Sequence, residues 1–312
     1  MRILVAGASG AIGRQLLPLL DAVGHETIGL VHRTPVEVRN GHLVTADALD
    51  RDALTTAVSE FEPEVVVNLL TAIPHNLNPR TFERQFAQTN RLRTEGTANL
   101  VAATRGVRMI SESVAFAYAP RPGLVADETA PLWERGPKAF LPALAALQEL
   151  ERITAETGGV CLRFGSLVGP GTGFAPDGTI VEAVRGGKLP IVGDGSGTFS
   201  FIHTHDAATA IVAALDRPEV TGALNIVDDQ PLRTAEWLPA LARLIGARSP
   251  RRLPQWLARL VAGSWGVAFL NGLVGATNAR AKAQLDWRPR YARVQEAWQA
   301  DLGGVTRPSV AV

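Results

Sequence analysis

A glycine-rich stretch near the start of the chain, VAGASGAIGR (5–14), has the residue types and spacing of a phosphate-binding turn. An apolar run precedes it, and helical apolar spacing follows it over 12–24. Gly7 would allow the tight turn, Gly10 would let a pyrophosphate approach the backbone, and Gly13 would let helix and strand pack closely. Free amides at the positive helix end would then face the phosphates. The predicted dinucleotide contacts in this turn are Gly7, Ser9, Gly10, Ala11, Ile12 and Gly13.

The end of the second predicted strand indicates which dinucleotide is bound. NAD specificity calls for an acidic residue there, to hold the ribose 2′-hydroxyl. The sequence instead reads LVHRT (30–34), and the planar cationic fork of Arg33 suits a 2′-phosphate. Arg14 could assist from the other side, and His32 could stack on adenine or face solvent. We therefore predict NADP(H) in preference to NAD(H), the alternative being that Arg33 is an ordinary surface residue.

The overall composition is that of an ordinary soluble globular protein. The 312 residues are 46% hydrophobic and 20% charged, with a formal net charge of +1, so neither nucleic acid nor a membrane is predicted as a partner. The single cysteine, Cys161, stands in an apolar run and is expected to be a buried thiol, which makes a reducing cytoplasm the predicted compartment. The apolar stretch 256–276 contains Arg259 and Asn271, so we expect a buried helix, or one lining a pocket or a homodimer face, rather than a membrane span.

Strands and helices alternate along the first half of the chain. The predicted strands are 2–7, 26–33, 42–47, 64–70, 106–113 and 159–166, and the predicted helices are 12–24, 52–61, about 80–104 and 143–157. This alternation predicts an α/β fold with a Rossmann-type, doubly wound parallel sheet. Residues 1–168 would form the dinucleotide-binding domain, and residues 199–227 would complete its sheet. Residues 169–198 and 228–312 would form a small C-terminal substrate lobe.

Several motifs, in order along almost the whole chain, resemble those of the extended short-chain dehydrogenase/reductases, the NAD-dependent epimerase/dehydratase family. They are GxxGxxG at 7–13, TEGTANLVAA (94–103), LRFGSLVGPGTG (162–173), SFIHTHDAA (200–208) and KAQLDWRPRY (282–291). The resemblance implies that Asp47 and Ala48 lie beside the adenine. It also implies that a strand end passes beside the cofactor. The residues implied there are Leu70, Thr71 and Ala72, and Ser166 in the segment 162–173 is a further predicted cofactor contact.

The chain departs from this family at the residues that carry the chemistry. Enzymes of the family polarise a carbonyl with Ser or Thr and donate a proton from a Tyr-x-x-x-Lys pair. Ser113 in MISESVAFAY (109–118) falls at the serine position, but Ala143 and Leu147 stand where the pair would be. Tyr118 is the first candidate for a replacement proton donor. Glu112 and His75 are weaker candidates.

Three functions remain open from the sequence. The protein could be an NADP(H)-dependent reductase of a hydrophobic carbonyl or enone, whose reduction leaves a stabilised anion. It could be an epimerase, isomerase or dehydratase that uses the cofactor transiently, or it could bind NADP(H) without turnover. A sugar nucleotide would need cationic groups for its diphosphate, and the candidates are Arg233, Arg248, Arg251 and Arg252. Few charged residues reach the predicted pocket, so a hydrophobic small molecule is the expected substrate.

The sequence HTHD (203–206) contains residue types that bind metals. His203 and His205 would share one face of a strand, but no third ligand is evident, so no metal site is predicted. We expect Asp206 to cap the helix that follows.

Overall fold

The computed structural model describes residues 1–74, 78–121, 123 and 125–303. The strands are β1 (Arg2–Ala6), β2 (Glu26–Val31), β3 (Gly41–Thr45), β4 (Val65–Asn68), β5 (Met109–Val114), β6 (Val160–Phe164), β7 (Ser166–Val168), β8 (Ile191–Val192), β9 (Thr198–Phe199), β10 (Phe201–His203), β11 (Gly222–Ile226), β12 (Leu232–Arg233) and β13 (Arg252–Leu253). The helices are α1 (Ala11–Ala22), α2 (Arg51–Val58), α3 (Phe82–Arg91), α4 (Thr97–Ala103), α5 (Leu141–Glu156), α6 (Thr179–Arg185), α7 (Thr204–Leu215), α8 (Thr234–Leu244), α9 (Gln255–Gly272), α10 (Ala279–Leu285) and α11 (Val294–Leu302).

Seven parallel strands form the central sheet, in the order β11-β6-β5-β4-β1-β2-β3. The order reverses beside β1, so successive crossovers run outward in both directions and put helices on both faces. This confirms the predicted doubly wound α/β fold. The crevice at the reversal point lies beyond the carboxyl ends of β1 and β4, where such sheets bind their ligands.

The strands are buried on both faces, which explains their nearly continuous apolar sequences. Val5 and Val67 pack on one face against α1 and α7. Their neighbours Leu4 and Val66 pack on the other face against α2 and α4. The alternation along each strand therefore builds two cores, and these hold the carboxyl ends of the strands in fixed register.

A third core lies beside the sheet and is rich in aromatic side chains. Three short strand pairs surround it, β7 with β10, β9 with β12, and β8 with β13. Its buried rings belong to Phe174, Phe199, Phe201, Trp237 and Trp298. The segment 201–203 pairs with β7 outside the seven-stranded sheet, whereas 222–226 adds the outermost strand next to β6.

Two local predictions differ from the structure. The long helix expected over about 80–104 is interrupted by a π-helical turn at Leu92–Gly96, which sequence periodicity does not reveal. His203 caps α7, because its Nδ1 accepts the amide of His205 at 3.1 Å. Asp206 instead accepts the amides of Arg290 and Tyr291, at 2.9 and 3.2 Å, so the predicted capping role of Asp206 is wrong.

The apolar stretch 256–276 falls mainly in α9, which is interrupted at Gly263, where φ is +69°. In the part of the chain that the structure describes, no helix is long and apolar enough to cross a membrane.

Candidate active site

The glycine turn between β1 and α1 has the compact geometry predicted for it. Gly7 has a φ of +88°, and a Cβ there would lie 2.6 Å from the Leu69 carbonyl oxygen. A Cβ on Gly13 would lie 2.4 Å from the carbonyl oxygen of Ala8. Both positions therefore exclude side chains for reasons of the fold. Gly10 is different: it is exposed, its φ is −72°, and a Cβ there would meet only the Gly7 carbonyl oxygen, at 3.2 Å.

The start of α1 offers a site for an anion. The Gly10 amide donates to the Gly7 carbonyl and the Arg14 amide donates to the Gly10 carbonyl. The amides of Ala11, Ile12 and Gly13, which lie between Gly10 and Arg14, have no backbone acceptor among the described residues. Unpaired amides at a helix N-terminus, above a glycine without a side chain, fit a dinucleotide pyrophosphate. We therefore assign this turn as the cofactor cradle.

The residues predicted to surround the adenosine lie at the adjacent strand ends. His32 and Arg33 follow β2 directly and are exposed. Asp47 Oδ1 accepts the amide of Leu49 at 2.9 Å, which orders the turn after β3. Ala48 is buried, and its carbonyl accepts the Asn99 side-chain amide at 3.0 Å.

The strand end after β4 is held by side chains of the neighbouring helices. The Asn68 side chain donates to Thr97 Oγ1 at 3.0 Å and accepts the Leu70 amide at 3.2 Å. The Ala72 amide donates to Thr89 Oγ1 at 3.2 Å. These bonds fix the segment that contains Leu70, Thr71 and Ala72, all half-buried. Ser166 is also half-buried, and its amide donates to the Ser200 carbonyl at 2.8 Å.

Ser113 and Tyr118 belong to one buried polar network. The Ser113 hydroxyl donates to Glu151 Oε1 at 2.7 Å. Arg163 donates to both oxygens of that carboxylate, at 2.8 and 2.6 Å, and to the Tyr118 hydroxyl at 3.0 Å. The Tyr118 hydroxyl in turn donates to Asn225 Oδ1 at 2.6 Å. The network therefore joins β5, α5, β6 and β11.

This network argues against the predicted role of Tyr118 as proton donor. The side chain is only 1% exposed, and its proton is already given to Asn225. Burial also raises the pKa of its hydroxyl, although the nearby Arg163 opposes the shift. The Ser113 hydroxyl likewise gives its proton to Glu151, so it could polarise a carbonyl only after that bond breaks. His75, the third candidate, lies outside the described residues.

An aromatic cluster covers the helix positions where the family's Tyr-Lys pair would stand. Ala143 and Leu147 on α5 are both buried and pack into it. The Phe140 and Trp265 rings stack there with centroids 4.8 Å apart, and Phe82 lies 4.8 Å from Trp265. The rings of this aromatic cluster are Phe82, Phe116, Trp133, Phe140, Trp265 and Phe269. The α5 face is therefore apolar where the family carries its acid.

Glu112 and Arg93 are two ionisable groups near these strand ends whose side chains form no hydrogen bond or ion pair with the residues that the structure describes. Glu112 on β5 is half-buried, and burial raises the pKa of its carboxyl to about 7, against the opposing charge of Arg93. Arg93 on the π-helical turn is 3% exposed, and burial lowers its pKa. Sequence reasoning missed Arg93. Residue types and spacing carry no signal for it, because the burial of Arg93 depends on the π-helical turn.

Two further groups of predicted residues take structural positions. Burial raises the pKa of the Cys161 thiol to about 12, as expected of a buried thiol that is not a nucleophile. His203 Nε2 lies 3.2 Å from Asp301 Oδ2. In the described ranges, no three His, Cys, Asp or Glu side chains are arranged to hold a metal ion.

Comparison with known proteins agrees with this geometry. The model of the NAD dependent epimerase/dehydratase family matches residues 3–227. The chain is 44% identical over 309 residues to the 3-diazoavenalumate denitrifying reductase of a Streptomyces species, a match that covers 97% of this chain and 99% of that protein. Human epimerase family protein SDR39U1, solved with NADPH, has a TM-score of 0.76 at 24% identity over 98% of this chain and 100% of that one. The Thermotoga maritima UDP-glucose 4-epimerase has a TM-score of 0.76 at 20% identity over 96% and 97%.

The match to the family model covers more than half of the chain, and the Streptomyces relative covers nearly all of it. The two solved structures share the fold with this chain. The chain therefore belongs to the NAD dependent epimerase/dehydratase family of extended short-chain dehydrogenase/reductases and is an oxidoreductase that uses a nicotinamide dinucleotide.

Proposed function

We propose that this protein is an NADPH-dependent reductase of small aromatic electrophiles whose reduction needs no proton, with arenediazonium ions as the leading substrate class. The observation that carries the proposal is the apolar α5 face. Ala143 and Leu147 occupy the Tyr and Lys positions and are buried in the aromatic cluster. Neither side chain has a proton to give.

The absence of a general acid prevents efficient reduction only of those hydride acceptors whose product must be protonated. Hydride addition to a carbonyl leaves an alkoxide, and a general acid must neutralise it. In the reduction of an arenediazonium ion, the hydride pair forms the new C–H bond while the C–N bonding pair leaves with dinitrogen. Charge balances without a proton. The name of the Streptomyces relative specifies a diazo substrate and loss of nitrogen, which supports the same class for this chain.

The aromatic cluster supports an aromatic and electron-poor substrate. Flat rings beside α5 offer apolar contact area and faces that attract positive charge. The arginines considered for a sugar diphosphate are partly engaged elsewhere. Arg233 pairs with Glu236 at 3.1 Å, and Arg252 donates to the carbonyls of Gly193 and Asp194. A hydrophobic small molecule is therefore favoured over a sugar nucleotide.

The cofactor is proposed to be NADPH, and it supplies the hydride when bound. The residues that would hold it are the glycine turn 7–13, with Arg33 on the 2′-phosphate. The solved structure of SDR39U1 with NADPH supports this choice. The single buried cysteine favours a reducing cytoplasm as the compartment.

A labelling experiment tests the proposal. The purified protein is incubated with 3-carboxybenzenediazonium and NADPH that carries deuterium at the transferred position, and the benzoate formed is examined by mass spectrometry. We expect one deuterium in the ring and dinitrogen release, with no label from D2O when unlabelled NADPH is used. Label from the solvent would show that a proton or radical route operates and would refute hydride transfer. Absence of turnover above the enzyme-free rate would refute the substrate class.

Gly10→Asp provides the control variant. Aspartate is a good N-cap, and the φ and ψ of Gly10 (−72° and 174°) suit an ordinary residue, so the fold should be kept. Its carboxylate would occupy the free amides that the pyrophosphate needs. We expect this variant to fold normally and to reduce the diazonium ion no faster than the enzyme-free mixture.

A further inference from the structure

We propose that Arg93 is the receptor for a carboxylate on the substrate, so that the site takes a small aromatic carboxylic acid; this assignment rests on the reductase function proposed above. Arg93 lies in the π-helical turn Leu92–Gly96. Such turns are rare and frequently occur at functional sites.

Its neighbours along the helix show where Arg93 lies relative to the sheet. Thr89 and Thr97, four residues away on either side, are both fully buried. Thr89 Oγ1 accepts the Ala72 amide, and Thr97 Oγ1 accepts the Asn68 side-chain amide. Both threonines therefore contact the chain at the carboxyl end of β4. Arg93, between them on the same buried side, lies against the stretch that passes beside the nicotinamide end of the crevice.

The guanidinium of Arg93 has no protein partner in the described part of the chain. It is 3% exposed, yet no carboxylate forms an ion pair with it and no acceptor receives its hydrogen bonds. Other shielded arginines have partners. Arg163 donates to both oxygens of Glu151, and the Nη atoms of Arg108 donate to three backbone carbonyls, although its Nε has no partner. A buried cation with five unused donors is costly for a protein to keep. A ligand carboxylate would pair with it in the bidentate geometry that arginine favours.

The substrate is a better source of this anion than the cofactor. The pyrophosphate already has the amides of Ala11, Ile12 and Gly13 at the start of α1. Arg93 lies on a different element, at the end of β4 and near Glu112 of β5. Glu112 is the one carboxyl with an attractive effect on Arg93, but it forms no ion pair within 4.0 Å in the described structure. The cation is therefore left for an anion that arrives with the ligand.

Binding measurements distinguish a substrate-carboxylate receptor from a cofactor contact and from a packing role for Arg93. The probes are trans-cinnamate and its uncharged amide, cinnamamide, titrated by calorimetry into protein saturated with NADP⁺. Arg93→Met removes the cation at similar length, Arg93→Lys keeps the charge without the fork, and Arg84→Met removes an exposed cation of α3 as the matched control. We expect Arg93→Met to weaken cinnamate binding by roughly 10- to 100-fold, with Arg93→Lys between it and the wild type. Cinnamamide and NADP⁺ affinities should change by less than about twofold in every variant.

Thermal unfolding of the ligand-free protein gives the second measurement. Because Arg93→Met removes an unpaired buried charge, its melting temperature should equal or exceed that of the wild type. A lower melting temperature with equal losses for both probes would mean that Arg93 has a packing role. Equal losses of NADP⁺ and cinnamate would assign Arg93 to the cofactor. Wild-type protein that does not prefer cinnamate to cinnamamide would also overturn the proposal. None of these titrations requires diazonium turnover, so a failed reductase assay leaves the assignment of Arg93 intact.

Discussion

Removing the hydroxyl of Tyr118 distinguishes a structural network from a catalytic acid. The substitution Tyr118→Phe keeps the ring, which is 1% exposed, and deletes one oxygen. That oxygen accepts from Arg163 at 3.0 Å and donates to Asn225 at 2.6 Å. We expect a large loss of stability and little change in turnover, because the hydroxyl is not presented to a ligand.

The size of the stability loss follows from the groups left behind. One N–H of Arg163 loses its acceptor, and Oδ1 of Asn225 loses its donor. The Asn225 Nδ2 already has no partner, so the whole amide would be left without a side-chain bond. Each buried group left unpaired costs about 1–3 kcal/mol, so the two groups give a total of about 2–6 kcal/mol.

Urea unfolding and steady-state turnover measure the two effects on the same samples. The control is Tyr291→Phe, at the other tyrosine of the chain. Tyr291 is half-buried and meets the His203 ring edge-on, with ring centroids 5.0 Å apart. Its hydroxyl has no hydrogen-bond partner in the described residues, so we expect a change below about 0.5 kcal/mol. A Tyr118→Phe protein as stable as the wild type, with turnover reduced about a hundredfold or more, would refute this reasoning and identify Tyr118 as a general acid.

Three further variants test the cofactor cradle and the buried carboxyl. Gly13→Ala should unfold at a lower urea concentration and lose dinucleotide binding, since its Cβ would lie 2.4 Å from a carbonyl oxygen. Gly10→Ala, whose nearest contact would be at 3.2 Å, should keep its stability and bind NADPH more weakly. Binding titrations and urea unfolding curves that are the same for the two variants would contradict this. Arg33→Ala should weaken NADPH binding about tenfold or more and NADH binding little, and equal losses in calorimetry would remove the case for a 2′-phosphate contact. Burial raises the pKa of Glu112 from 4.5 to about 7, so between these pH values the carboxyl is protonated in the folded protein and ionised in the unfolded one. Glu112 therefore destabilises the wild type progressively as the pH rises from 4.5 to 7, by at most about 3 kcal/mol in total, and the loss does not grow above pH 7. Glu112→Gln should therefore match the wild type near pH 4.5 and exceed its unfolding free energy at pH 8, and parallel pH profiles for the two proteins would disprove the shift.

The fold and the geometry of the glycine turn could be predicted because their signals are local. Gly7 and Gly13 are fixed by contacts within the first turn and with the adjacent strand, and the strands themselves read as apolar runs between turns. The wound sheet follows from the alternation of elements alone.

The polar network could not be predicted, because it depends on long-range pairing. Tyr118 meets Arg163 and Asn225 across 45 and 107 residues of chain. The sequence shows Tyr118 only five residues after Ser113, which makes it the first candidate for a proton donor. The register of β5 with β6 sets Arg163 beside Ser113, and Arg163 in turn donates to the Tyr118 hydroxyl. Only this three-dimensional pairing shows that the Tyr118 hydroxyl is already hydrogen-bonded.

The π-helical turn could not be predicted from the sequence for a different reason. An α-helix and a π-turn have nearly the same apolar pattern over one turn, so 80–104 reads as a single helix. The extra residue changes which side chains face the sheet. Arg93 could therefore be recognised as a buried cation only in three dimensions.

The aromatic rings over α5 also limit how this lineage can evolve. A single Ala143→Tyr change would insert a phenol beside rings whose centroids are already 4.8 Å apart, and such overpacking costs about 1–3 kcal/mol before any chemistry is gained. The lysine one helical turn later would still be missing, because Leu147 is buried in the same cluster. Either first step toward the family's Tyr-Lys pair therefore carries a stability cost before it brings any chemistry.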